Sequence, residues 1–377
     1  MSSAITTSTT PQTTLSASKP VMGTLRYIPA GHIPEKSPHN YHLPAISEFS
    51  DVRHLPLCNM LPLPSVADLA AAENHAQLST HGFTAVTHPT TLNCPPYDVS
   101  SWKDPSLLAQ HYIPDTAAML KCITGCSAVI TEALLLRSAI WTESDALATH
   151  AGHGRDTETD PEPQTDPSAE TLSLETGFPA FIGFNASQGG VSPAPKPHVD
   201  YSPAGARTHI REYHSKLTSA AASIIAAEDA LLAEGKSLKE NYHPTDSTGG
   251  PRWALYSIWR PLKPVRRDPL ALLDQRTLKD EDFIPVNITT PCLGREDGST
   301  ETHEAEGYLA SYREGHEWNW IEDQKPEEVL VIGLFDSGME REGGVASGGT
   351  LHSSVELEGR EGEEARESLE LRCLCVW

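Results

Sequence analysis

Three β-rich segments in the second half of the chain constrain the fold most. Residues 252–260 are rich in aromatic and other strand-forming side chains and stop at Pro261, whereas residues 328–335 are apolar enough for a central strand. Residues 368–377 close the chain with a third such segment. Long irregular or helical connections separate the three, and no Gly-x-Gly-x-x-Gly motif opens a helix after a strand, which disfavours a dinucleotide-binding fold. The pattern predicts a mainly β fold with flanking helices.

Composition along the chain divides it into a tail, a domain and an insertion. Residues 1–20 are rich in Ser and Thr and poor in apolar side chains, so we expect a disordered N-terminal tail. Residues 21–377 are expected to form a single domain. Within it, residues 147–192 are acidic and rich in Pro, Thr, Ser and Gly, which predicts a disordered insertion. Residues 203–235 follow as a long Ala-rich helical stretch that ends at a glycine.

Charge and hydropathy narrow the classes of partner. The chain carries 51 acidic and 28 basic residues, a net charge of -23. Such a surface repels phosphate backbones and anionic lipids, so we expect neither a nucleic acid nor a membrane as partner. No segment approaches the roughly 20 apolar residues of a membrane-spanning helix, and the N-terminus lacks a signal-peptide pattern. The sequence therefore predicts a soluble, cytoplasmic protein whose seven cysteines are reduced thiols.

A His-x-Asp motif and a distant histidine form a candidate metal site. His198 and Asp200 are two positions apart, so on a strand their side chains point to the same face. His352 is the candidate third ligand, ahead of His303 and His316. Only His352 is followed by an Arg-x-Ser motif fourteen residues further along the chain. Two imidazoles and one carboxylate are the facial ligand set of non-haem Fe(II) oxygenases. By itself, a His-x-Asp tripeptide is common and is most often a surface coincidence.

Ligands on two distant strands complete the prediction of the fold. Strands from separate parts of the chain come together in this way in a double-stranded β-helix, or jelly roll, with helices packed outside. The sequence therefore predicts a jelly-roll core that brings His352 beside the His-x-Asp strand.

An Arg-x-Ser motif lies fourteen residues after His352 and predicts a co-substrate site. The guanidinium of Arg366 and the hydroxyl of Ser368 are suited to the far carboxylate of a 2-oxo acid such as 2-oxoglutarate. The alternative is that Arg366 is a solvated charge within a Glu-rich run. Arg372, on the same strand face, remains the second candidate for this role.

Trp259 and Arg260 are weaker candidates for a substrate pocket. An arginine beside a tryptophan at the end of a strand is able to line a pocket, and a structural ion pair is the alternative for Arg260.

Five motifs follow one another in a fixed order along the chain. They are His198–Arg207, Ile258–Leu262, Asp268–Ala271, Phe335–Ser337 and Arg366–Arg372. Together they resemble the fungal AsaB-like, or gibberellin-desaturase-like, hydroxylase/desaturase family, which is related to the CmcJ-like proteins of cephamycin pathways. The resemblance runs over residues 23–377 without the acidic insertion.

The resemblance implies an activity and a ligand set. It implies an Fe(II)- and 2-oxoglutarate-dependent oxygenase of secondary metabolism that uses O2 to hydroxylate or desaturate a small organic substrate. It places His198 and Asp200 in metal positions, and His352 where the family carries a histidine after an Asp-Ser element. This chain departs from the family around His352, which Leu351 precedes where proline is usual, and at Gly333-Leu334, where lysine is usual.

Two further hypotheses remain open at this point. The same three ligands suit zinc in a hydrolase or isomerase, for which the Arg-x-Ser motif has no evident use. A non-enzymatic, cupin-like binding protein with a decayed site is the other alternative.

Overall fold

The structure is a computed structural model that describes residues 20–38, 42–71, 75–141, 178–184, 191–242, 250–294, 301–341 and 345–377. The predicted N-terminal tail lies outside the described residues, except for Pro20. Of the predicted insertion, residues 147–177 and 185–190 also lie outside them.

Fifteen strands among the described residues form two sheets. The larger sheet has the order β14-β1-β2-β11-β8-β13-β6-β10-β9, and the smaller has the order β3-β12-β7-β15-β4-β5. The strands are β1 Val21–Tyr27, β2 Asp51–Asn59, β3 Phe83–Thr87, β4 Ala128–Arg137, β5 Ala180–Ile182, β6 His198–Val199, β7 Trp253–Pro261, β8 Leu270–Leu273, β9 Phe283–Pro291, β10 Thr302–Ala310, β11 Trp318–Trp320, β12 Glu328–Asp336, β13 His352–Ser354, β14 Glu356–Leu357 and β15 Ser368–Val376.

The three predicted β-rich segments are adjacent strands of the smaller sheet. β7 pairs antiparallel with both β12 and β15, so it lies at the centre of the sheet. Every residue of β7 and β12 is buried, because both faces of the sheet are covered. On one face Trp253, Leu255 and Trp259 share a core with Leu270 and Leu272 of β8, which belong to the larger sheet. The two sheets therefore pack face to face, as the predicted jelly-roll core requires.

Helices cover the outer face of the smaller sheet and its end. The outward residues Tyr256 and Ile258 of β7 pack with Leu120 and Ile123 of a helix, which confirms the flanking helices. The α-helices are α1 Val66–Ala71, α2 His75–His81, α3 Pro105–Leu107, α4 Ile113–Thr124, α5 Pro203–Glu212, α6 Ser215–Ala220, α7 Ala222–Ala233, α8 Leu238–Asn241 and α9 Ser337–Arg341.

The helical stretch predicted over residues 203–235 is broken into α5, α6 and α7. The break after α5 occurs because His214 adopts an extended backbone, with φ of -149°, and its Nδ1 accepts a hydrogen bond from the Lys216 amide. A side chain that caps the next helix stops the preceding one. Ala221, at φ -88° and ψ 6°, makes the second break.

One part of the predicted insertion is ordered. β5 pairs in parallel with Ala133–Leu135 of β4, and Phe181 is fully buried in the core under the helices. The prediction of disorder therefore does not hold for residues 178–184, where the apolar run Phe178-Pro179-Ala180-Phe181-Ile182 supplies buried surface.

Within the part of the chain that the structure describes, no helix combines the length and the apolar character needed to cross a bilayer.

Candidate metal centre

The His-x-Asp segment is held by a short strand and the helix that follows it. His198 and Val199 form β6 between β13 and β10, and Asp200 comes directly after it. The Ser202 hydroxyl then accepts a hydrogen bond from the Gly205 amide at 3.0 Å and caps α5. A Cβ at Gly205 would lie 1.8 Å from the Glu306 carbonyl oxygen, so only glycine lets α5 start this close to β10. This contact fixes the direction of the chain just after Asp200.

His352 lies directly opposite His198. The two residues are paired in register on β13 and β6, and their ring centroids are 4.3 Å apart. Oδ1 of Asp200 is 3.3 Å from Nε2 of His198 and 3.7 Å from Nε2 of His352. One ligand atom from each residue lies within 4.8 Å of the others, and among the described residues no other group of three meets this criterion. The jelly roll thus brings together the three residues that the sequence singled out.

Backbone carbonyls orient both imidazoles. Nδ1 of His198 is 2.6 Å from the Lys196 carbonyl oxygen, and Nδ1 of His352 is 3.0 Å from the Thr350 carbonyl oxygen. A carbonyl only accepts, so each Nδ1 carries the proton and donates it. Each Nε2 therefore presents a lone pair toward Asp200, which is how histidine ligands are commonly held for a metal.

The charge states also suit a cation. Burial, together with the neighbouring His198, lowers the pKa of His352 to about 4, so this imidazole is neutral at physiological pH. Burial alone would raise the pKa of Asp200, but Arg372 and the two imidazoles hold it well below its usual range. The imidazoles of His198 and His352 and the ionised carboxylate of Asp200 match the donor set that Fe(II) takes in non-haem oxygenases.

Arg372 is a partner of Asp200 and not a free co-substrate arginine. Its Nη2 lies 2.8 Å from Oδ2 of Asp200, the carboxylate oxygen turned away from the imidazoles. Its Nε donates to Glu370 at 3.0 Å, and its Nη1 donates to the Tyr201 hydroxyl at 3.3 Å. With these three partners, Arg372 orients the carboxylate, which sequence reasoning had not assigned to it.

Arg366 and Ser368 are buried close to the triad. A small cavity of about 20 Å³ is lined by Arg366 together with His198, His352 and Trp259. The guanidinium carbon of Arg366 lies 5.2 Å from the Trp259 ring centroid, and Nη1 donates to the Asp268 carbonyl. Arg366 Nε and Ser368 Oγ have no hydrogen-bond partner among the described residues. Buried donors of this kind are costly unless a ligand accepts from them.

Arg366 keeps a positive charge at this position. Burial, with the nearby Arg137 charge, lowers its pKa to about 9, which still leaves it protonated at neutral pH. Only 3% of the residue is exposed, so the alternative of a solvated charge in the Glu-rich run does not apply.

Trp259 and Arg260 separate onto opposite faces of β7. Trp259 faces the small cavity, whereas Arg260 points into the core under the helices. Arg260 donates to the carbonyls of Pro326 at 2.6 Å and His88 at 2.9 Å and stacks near Trp102. The substrate-pocket prediction therefore does not hold for Arg260, because successive strand residues point in opposite directions. The role of Arg260 is structural. It comes from hydrogen bonds to backbone carbonyls and not from the ion pair that was the alternative prediction.

A second, larger cavity of about 410 Å³ is lined by His198 and Asp200 and adjoins the small one, with which it shares His198, Arg137 and Glu370. Its lining includes apolar side chains such as Leu135, Ile182 and Ile288. Sequence reasoning missed its polar wall: Glu132, Arg137, Lys196, Tyr201, His209, Glu370. One signal was present in the sequence, since Glu132 interrupts an otherwise apolar strand, and it is fully buried with Oε2 2.8 Å from Nε2 of His209.

The two competing histidines lie elsewhere. His316 is buried between the Tyr27 hydroxyl, at 3.1 Å, and Asp282, at 3.2 Å. His303 lies near the Cys292 sulfur, at 3.6 Å. Neither belongs to the triad, so His352 is the third residue in space as it was in the sequence prediction.

Comparisons with known proteins agree with this site. A family model described as an oxidoreductase/YMDC permease-like domain matches residues 236–376. The chain is 36% identical to the oxidoreductase chry3 of Gibberella zeae over 96% of its length and 99% of that protein. It is 32% identical to the gibberellin cluster GA4 desaturase of Gibberella fujikuroi, over 83% of this chain and 86% of the relative. Further fungal relatives are named hydroxylase/desaturase or alpha-ketoglutarate-dependent dioxygenase.

The fold has a solved counterpart. The iron and alpha-ketoglutarate-dependent endoperoxidase NvfI superimposes with a TM-score of 0.54 at 18% identity, over 94% of this chain and 97% of that one. At this level of identity the likeness supports the jelly-roll fold. These findings do not favour the zinc hydrolase or the decayed cupin-like protein. The chain belongs to the fungal AsaB-like, gibberellin-desaturase-like hydroxylase/desaturase family of Fe(II)- and 2-oxoglutarate-dependent oxygenases.

Proposed function

We propose that His198, Asp200 and His352 hold the Fe(II) ion of a hydroxylase or desaturase of secondary metabolism. In this proposal Arg366 and Ser368 bind the far carboxylate of 2-oxoglutarate, and the large cavity receives a small organic substrate. The observation that carries the proposal is the convergence of three ligand atoms within 4.8 Å, with both imidazoles oriented by backbone carbonyls.

The residues fit both groups. Fe(II) and 2-oxoglutarate, when bound, supply the O2-dependent oxidising power that removes hydrogen from a substrate C–H bond. Arg372 engages the outer oxygen of Asp200 and so keeps Oδ1 directed at the two imidazoles. The free Nε of Arg366 and the Ser368 hydroxyl offer donors for a carboxylate in a buried place where such hydrogen bonds are strong.

Apolar side chains line part of both cavities. Trp259 is buried against Arg366 and closes the co-substrate side. Leu135, Ile182 and Ile288 form apolar surface on the substrate side. An apolar pocket holds a substrate with its C–H bond near the metal position and keeps water from competing reactions.

The test is an anaerobic titration of metal-free protein with Fe(II) in the presence of 2-oxoglutarate. We expect the weak visible charge-transfer band of the iron chelate to appear in the wild type and to be lost in His198→Ala. His303→Ala is the matched control, because this histidine is also partly buried on a strand but lies outside the triad. A band of unchanged intensity in His198→Ala would remove the metal assignment.

The predictions of domain organisation, location and partners belong with this function. We infer a single oxygenase domain over residues 21–377, supported by the pairing of β1 with β14 and of β4 with β15 from distant parts of the chain. A cytoplasmic location and the absence of nucleic-acid and membrane partners stay predictions from charge and hydropathy.

A further inference from the structure

Lys196 is a cation of the large cavity, and among the described residues it has no carboxylate partner. It lines the cavity, and its Nζ donates to the Pro44 carbonyl at 2.7 Å and lies 5.9 Å from the Phe49 ring centroid. No ion pair joins it to another described residue. An ammonium group has three donors, so two remain for a ligand in the cavity.

The other charges on the cavity wall are paired with one another. Asp200 and Glu370 share Arg372, at 2.8 Å and 3.0 Å, and Glu370 also lies 3.7 Å from Arg137. Oε2 of Glu132 lies 2.8 Å from Nε2 of His209. Lys196 is therefore the one lysine or arginine on the described wall with no carboxylate in contact. A cation in a partly apolar cavity is stabilised when a ligand brings the missing negative charge.

Arg366, the proposed 2-oxoglutarate residue, is not part of the cavity wall that contains Lys196. Lys196 lines the large cavity, whereas Arg366 lines the small one, and Lys196 does not contribute to the small one. A volume of about 410 Å³ with Leu135, Ile182 and Ile288 in its wall exceeds what a simple inorganic ion needs. The matching ligand is a molecule with an apolar body and one acidic group.

We propose that the substrate of this oxygenase carries a carboxylate, which Lys196 binds through a charge-assisted hydrogen bond. The inference rests on the proposed function only in taking the large cavity as the place where the substrate is oxidised. The Lys196 carbonyl accepts the hydrogen bond from His198 Nδ1, so the anion site and a metal ligand belong to one segment. The carboxylate thereby orients the apolar body of the substrate relative to the metal position.

The test compares a carboxylate with its neutral isostere. Adamantane-1-carboxylate and adamantane-1-carboxamide have nearly the same shape and differ in charge. Their dissociation constants are measured by anaerobic calorimetry on full-length protein saturated with Fe(II) and 2-oxoglutarate. The variants are Lys196→Met, which removes the charge at similar length, and Lys196→Arg, which keeps it. Lys239→Met is the control, because it removes one exposed lysine outside the cavity.

We expect wild type, Lys196→Arg and Lys239→Met to bind the carboxylate at least 10-fold more tightly than the carboxamide. Lys196→Met should lose this preference while its dissociation constant for 2-oxoglutarate stays within about twofold of wild type. Equal binding of the two probes by wild type, no binding of the carboxylate, or a preference that survives in Lys196→Met would overturn the inference. So would a weakened affinity for 2-oxoglutarate with the probe preference intact.

The same samples separate this inference from the metal assignment. The charge-transfer band of the iron chelate is recorded before each titration. A missing band with a carboxylate preference that depends on Lys196 removes the proposed metal site and leaves the anion site in place. A normal band without such a preference does the reverse.

Discussion

Replacing Arg372 by methionine removes the guanidinium that pairs with the outer oxygen of Asp200. The side chain keeps much of its length and apolar stem, so the main change is electrostatic. Asp200 is then left buried with only the two imidazoles beside it, and Glu370 keeps only the longer contact to Arg137, at 3.7 Å. We expect the metal-free variant to be less stable than the wild type.

The size of the loss follows from the geometry. Opposite charges with centres about 4 Å apart attract by about 4 kcal/mol at the effective dielectric constant near a protein surface. Removing one partner of a buried pair costs about 3–5 kcal/mol because the other charge stays unpaired. The Arg372 side chain is 28% exposed, toward the cavity, so solvent screens part of the interaction. The lower end applies, and we expect the free energy of unfolding to fall by about 3 kcal/mol.

Urea denaturation with and without Mn(II) measures this loss and tests its cause. In Arg372→Met the bound cation becomes the main positive charge beside Asp200, so excess Mn(II) should shrink the deficit relative to wild type. Arg207→Met is the matched control, since Arg207 is also partly buried and pairs with Glu340 at 2.6 Å away from the triad. Its deficit should not respond to Mn(II). A loss below about 1 kcal/mol in Arg372→Met, or a deficit that Mn(II) leaves unchanged, would refute this role of Arg372.

Three further predictions test other parts of the site. Arg366→Met should raise the dissociation constant for 2-oxoglutarate by about 10- to 100-fold, because a charged hydrogen-bond partner is lost. Arg260→Met should lower stability and leave that dissociation constant unchanged. Equal effects of the two substitutions on the dissociation constant would contradict the co-substrate assignment. The free energy of unfolding of the metal-free protein should fall by about 3 kcal/mol as the pH drops from 6.5 to 4. Over this range His352 is protonated in the unfolded chain but stays largely neutral in the native state, where its pKa is about 4. Urea titrations of His352→Gln should lack this part of the pH dependence. Gly205→Ala should destabilise the protein by about 1–3 kcal/mol, since its Cβ would overlap the Glu306 carbonyl; a melting temperature equal to wild type would show that α5 can move away from β10.

The sequence predicted the parts of this molecule that depend on local pattern. The strand at β7 and the same-face relation of His198 and Asp200 follow from the two-residue period of a strand, and both agree with the structure. The break at His214 was not predicted, because it depends on a histidine side chain that caps the next helix. The pairing of Glu132 with His209 joins residues 77 positions apart, and no local pattern reveals such a contact.

Three arginines show most clearly that local sequence pattern does not reveal long-range contacts. Arg260, Arg366 and Arg372 all lie at or beside strand positions that the sequence marked as candidates, and Arg260 and Arg366 are buried whereas Arg372 is partly buried. Their different roles come from which face of the strand they occupy and which group lies opposite. Arg260 meets backbone carbonyls, Arg366 meets an open cavity beside Trp259, and Arg372 meets Asp200. The two-residue period of a strand predicts which face of the strand each arginine occupies. Only the fold determines which group lies opposite that face.

The alternation of β15 explains how one strand serves the whole site. Its outward residues Leu369, Leu371 and Cys373 pack under the helices, as expected for a covered sheet. On the inward face, Ser368, Glu370 and Arg372 follow Arg366 at two-residue intervals and run from the co-substrate side to Asp200. Alternating polar and apolar residues usually mark a strand with one solvated face, yet seven of the nine residues of β15 are buried. A row of polar residues that faces the interior needs partners there. In this chain those partners are Asp200 and the two cavities that we propose for the co-substrate and the substrate. The positions along β15 set the order in which the three lie side by side.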